Sequence, residues 1–80
     1  MGTESPEDLQ TRVAELDSAI IELVLRRTDV CAYLTSRRRA NGRPTIELAR
    51  ENEVLRRYGE ALGRPGVTLA MLLTELGRRH

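Results

Sequence analysis

Arg27 and Arg38 are the residues of this sequence whose placement most suggests chemistry. Leu9, Val13, Leu16, Ile20, Leu23, Val30 and Leu34 recur in alternating steps of four and three, and the member missing from that seam is Arg27. A guanidinium stranded among Leu and Val costs several kcal/mol unless an anion or a hydrogen-bond partner meets it. Arg38 follows eleven residues later, which on a helix returns to within about 20° of the same face, roughly 16 Å along the axis. Two long cations converging from that separation leave a gap suited to a small dianion, with Arg27 able to grip a carboxylate through two bonds. A second seam repeats the anomaly. Leu48, Leu55, Tyr58 and Leu62 keep the rhythm, Glu51 stands where an apolar residue is expected, and Glu47 lies one turn before it. The two carboxylates share an inward-facing stripe beside Arg50, while Asn52, Glu53, Arg56 and Arg57 occupy the outer face.

The elements that must position these groups are helices. Ser5-Pro6-Glu7-Asp8 reads as a helix start, with Ser5 as N-cap, Pro6 where its missing donor is harmless, and acids at the positive end of the dipole. No Gly or Pro interrupts residues 7–41, so the first helix covers roughly 34 residues, or about 50 Å. A compact chain of this length has a radius of gyration near 12 Å, roughly, so much of that helix must be covered by another subunit. Thr45 as N-cap and Gly63 as stop bound a second helix. Arg64-Pro65-Gly66 reads as a turn, and Leu69, Leu72, Leu73 and Leu76 line a short third helix ending in Gly77-Arg78-Arg79-His80. The reading is all-α: one long and two shorter helices in a single domain, residues 1–80.

Composition narrows the function classes. A domain of 80 residues buries only about 60% of its unfolded surface, which again favours oligomerisation. There is no Trp or Phe, and a single Cys excludes an intrachain disulfide and fits a reducing cytoplasm. The start of the chain has neither a basic segment nor an apolar run, and nothing approaches the roughly 20 apolar residues of a membrane span. Thirteen basic and twelve acidic residues give a formal charge of +1, so no membrane or nucleic-acid surface is indicated globally. Arg37-Arg38-Arg39 with Arg43 is basic enough to meet RNA or phosphate, yet it lacks stacking aromatics. His80 is terminal and Cys31 lacks partners, so no metal site and no nucleophile is expected; Cys31 reads as a core filler.

Leu16-Asp17, Arg26-Arg27, Arg38, Gly42-Arg43-Pro44 and Arg50-Glu51, in that order and spacing, resemble the all-helical class of chorismate mutases across nearly the whole chain. The Tyr58 to Leu62 segment and Leu76-Gly77-Arg78 are most similar to the short actinobacterial members. The resemblance implies an intertwined helical homodimer whose long first helix serves both sites. It also implies a cytoplasmic, cofactor-free isomerase that rearranges chorismate to prephenate in aromatic amino-acid biosynthesis.

Carried over by position, the resemblance puts Arg27 on a substrate carboxylate, Arg38 on the ether oxygen and a neighbouring carboxylate, Arg50 in the wall and Glu51 on the ring hydroxyl. Glu47 falls near that same hydroxyl, and Thr74 and Arg78, four apart, line the pocket from the third helix. Where many relatives place an arginine that reaches the other subunit's site, this chain has Gln10, which implies weaker carboxylate binding; Arg12 points about 200° away and does not replace it. Plainer readings remain for the same residues: Arg27 as a structural partner of Glu51, and Glu47 and Glu51 as first-turn acids favouring the helix dipole. Two other functions stay open. One is a mutase or lyase acting on 4-amino-4-deoxychorismate or isochorismate. The other is a weakly active dimeric partner module of the first shikimate-pathway enzyme, 3-deoxy-arabino-heptulosonate 7-phosphate synthase.

Overall fold

The computed structural model describes residues 4–41 and 44–78, with side chains outside 38–47. Three helices follow in order: α1 (Pro6–Asn41), α2 (Pro44–Leu62) and α3 (Arg64–Arg78). The start of α1 is a reciprocal cap. The Asp8 amide donates to Ser5 Oγ at 3.1 Å and the Ser5 amide donates back to Asp8 Oδ2 at 3.3 Å, so Asp8 plays the part more often taken by Glu. With 36 residues, α1 spans about 54 Å and sets the long dimension of a molecule measuring 56 × 24 × 17 Å. The radius of gyration is 16.5 Å, well above the roughly 12 Å of a compact chain this long.

Helix α2 begins at Pro44, one residue ahead of the expected cap Thr45, whose side chain lies outside the described ones. Proline at the first helical position has no amide to leave unpaired, which favours the earlier start. The link from α2 to α3 is also tighter than the sequence suggests. Gly63 alone makes it, at φ 79°, and Arg64-Pro65-Gly66 form the first turn of α3 rather than a loop. The Gly63 amide donates to the Gly59 carbonyl at 2.8 Å, and its own carbonyl accepts from the Gly66 amide at 2.9 Å. One left-handed residue thus ends one helix and opens the next, a conformation cheap only for glycine.

Helix α3 packs against both α2 and α1. Its inward stripe is Gly66, Ala70, Leu73 and Gly77, all buried, whereas Leu69, Leu72 and Leu76 stay 37–58% exposed. The expectation that four leucines line the third helix is therefore corrected: only Leu73 does so, and small residues make up the rest. The reason is backbone proximity. A Cβ on Gly66 would sit 2.3 Å from the Tyr58 carbonyl oxygen, and one on Gly77 would sit 2.8 Å from Cys31 Cβ. Side chains there would force the helices apart at a cost of about 1–3 kcal/mol each.

This close seam covers only part of α1. Leu9, Val13, Leu16, Ile20 and Leu23 are 48–61% exposed, and among the described residues the buried apolar core is Ala70 and Leu73. No helix of the described residues is long and apolar enough to cross a membrane.

Candidate active site

Below the exposed seam, the three helices enclose a cleft of about 200 Å³. From α1 come Arg27, Cys31, Leu34 and Thr35, residues that recur every three or four positions and so stand on one face. Helix α2 contributes Arg50, Glu51 and Val54, and α3 contributes Thr74, Gly77 and Arg78. The glycine at position 77 lets α3 approach Cys31 closely enough to close the floor. Arg27, Arg50, Glu51, Thr74 and Arg78 are thus brought together, residues taken from all three helices. Gln10 is exposed on α1, seventeen residues before Arg27, about 25 Å along the helix, so it does not line this cleft. The backbone of Arg38 continues α1 one turn past Thr35, and Glu47 lies in the first turn of α2; both side chains fall outside the described ones.

The cleft wall is largely apolar, with its charge confined to a few groups. Among the described residues, three guanidinium groups face one carboxylate, a net of two positive charges that complements a small dianion. Glu51 is the partner of Arg78, whose Nη2 donates to Glu51 Oε1. Arg27 therefore is not the structural partner of Glu51. Its half-buried guanidinium has no ion-pair or hydrogen-bond partner among the described residues, leaving its donors available to an anion. Thr74 reaches the cleft, but its hydroxyl donates to the Ala70 carbonyl at 2.9 Å, so while that bond holds it can offer a ligand only lone pairs.

The charges elsewhere do different work. On the outer face of α2, Arg56 bridges Glu53 at 2.5 Å and Glu60 at 2.7 Å. Its hydrogen bond holds the Glu53 carboxyl below the usual carboxylate range, a surface effect of little energetic weight. Arg37, exposed on α1, lies 5.7 Å from the centre of the Tyr33 ring and donates to its hydroxyl at 3.0 Å.

Cys31, Thr35 and Val54 also line the cleft, although none of them places a charge on an apolar seam. The signal existed: Cys31 and Thr35 stand four and eight residues after Arg27 on its face, and Val54 stands three after Glu51. A search for charges on apolar seams passes over neutral residues one turn away.

Over 72 residues, 90% of this chain and 69% of the relative, the sequence is 43% identical to the intracellular chorismate mutase of Mycolicibacterium smegmatis. The chain belongs to the chorismate mutase family. It is accordingly an isomerase-class enzyme, and the described residues of this chorismate mutase form three helices, an all-α arrangement. No protein-family model and no solved structure matches the chain.

Proposed function

We propose that this chain rearranges chorismate to prephenate, with the unpartnered Arg27 beside Arg50, Arg78 and Glu51 as the observation that carries the reading. A Claisen-type rearrangement is intramolecular. The protein must hold the enolpyruvyl arm over the ring and stabilise the negative charge that grows on the breaking ether oxygen. Fixed cations do both. Arg27 takes a carboxylate, Arg50 stands in the wall, Arg38 faces the ether oxygen and a neighbouring carboxylate, and Glu51, with Glu47 near it, accepts from the ring hydroxyl. No general base, metal or covalent intermediate enters the scheme. The reaction belongs to aromatic amino-acid biosynthesis, and the relative's designation as intracellular supports a cytoplasmic setting.

Side-by-side turnover of chorismate, 4-amino-4-deoxychorismate and isochorismate tests the substrate. Chorismate is expected to be preferred by at least about tenfold in kcat/KM, the worth of one well-placed hydrogen bond. Preference for the amino analogue would reassign the pocket.

The uncovered seam supports a homodimer that intertwines along α1. Burying the half-exposed Leu9, Val13, Leu16, Ile20 and Leu23 contributes about 1 kcal/mol each, together more than a core of Ala70 and Leu73 supplies. In such a dimer Gln10 reaches toward the second site. Sedimentation at micromolar concentration is expected to give twice the monomer mass; a stable folded monomer would contradict the shared-helix assembly. The same runs with the heptulosonate-phosphate synthase added test whether the exposed leucines of α3 also receive that partner.

A further inference from the structure

We infer that Arg78 is a positioning residue for Glu51, holding its carboxylate by one oxygen so that the other is presented to the substrate's ring hydroxyl. The inference rests on the proposed rearrangement and deepens it.

Among the described residues this ion pair is unlike the others. Arg12 with Glu4, and Arg56 with Glu53 and Glu60, join neighbours within eight residues, and every partner side chain there is at least 44% exposed. Arg78 and Glu51 lie 27 residues apart on different helices, both line the cleft, and the Glu51 side chain is only 22% exposed. The contact is one-sided: Arg78 Nη2 donates to Oε1, and Oε2 accepts from no described residue. A carboxylate accepts about four hydrogen bonds, so this arrangement leaves Glu51 an open oxygen while restricting its rotamers. It also sets a cation beside the one negative group that lines the cleft among the described residues, which offsets repulsion between Glu51 and the substrate's carboxylates. Arg78 is the last described residue of α3, so the end of that helix fixes a group on α2. A guanidinium committed to Glu51 is poorly placed to be a principal carboxylate ligand.

Arg78→Gln, Glu51→Gln and the double variant, assayed for kcat and KM beside the wild type, separate the two roles. A positioning residue works only through its partner. Arg78→Gln is expected to lower kcat about tenfold in the wild-type background and less than about twofold when Glu51→Gln is already present. Arg78→Lys can still donate once to Oε1 and is expected to recover most of the loss; Arg78→Met, which cannot donate, carries the cycle if the glutamine variant does not fold. Equal falls in kcat in both backgrounds would show that Arg78 acts on the substrate independently of Glu51. No fall in either would leave only a clamp between helices. Either result overturns the inference alone, whereas a wild type with no turnover would overturn the proposed reaction and this inference together.

Discussion

Replacing Arg27 by alanine is expected to lower kcat/KM by more than about a hundredfold, on the scale of removing one oxyanion-type donor. The fold should survive, and thermal stability should be unchanged or higher. Both halves follow from the same observation: the guanidinium is half-buried and unpartnered among the described residues. Taking away a cation that no carboxylate pairs with among the described residues strands no opposite charge there and removes a desolvation cost. A structural ion pair would behave oppositely, since its loss costs about 3–5 kcal/mol through the partner left behind. Kinetics and a melting curve on one preparation therefore decide the role of Arg27. Retained activity, or unfolding, would remove it from the substrate.

The second large effect is expected at Arg38, proposed to face the oxygen whose charge grows as the ether bond breaks. A group in that place stabilises the transition state more than bound substrate, so its loss should appear in kcat. Citrulline retains most of the hydrogen-bond geometry without the cation; turnover should fall steeply while KM changes little. Lysine restores a point charge without the planar fork and should fall between citrulline and arginine. Citrulline matching arginine, or a loss confined to KM, would make Arg38 a binding residue and refute charge stabilisation at the ether oxygen.

The helices were legible because their signals are local. Ser5 and Asp8 cap α1 as their spacing suggests, Gly63 stops α2, and nothing breaks residues 7–41. The charged residues of the cleft were legible for a different reason. Arg27 and Glu51 interrupt apolar seams, and such an interruption is costly enough to imply a purpose. What the sequence concealed depends on distances between helices. Gly66 and Gly77 read as a turn and an ending, yet both are buried in the packing seam of α3, because closeness of backbones leaves no periodic mark among larger leucines. The pairing of Glu51 with Arg78 was equally hidden. In the sequence the two read as separate residues of the pocket, and only the α2–α3 hairpin brings them together.

The central claim is that a cationic cleft in this chain suffices, without cofactor or metal, to rearrange chorismate. Proton NMR of chorismate incubated with the purified protein and excess EDTA tests it most directly. Prephenate is expected to appear at a rate proportional to protein concentration above the spontaneous background and to be unchanged by the chelator. Chorismate converted no faster than in buffer alone, or converted only when metal is restored, would contradict the account.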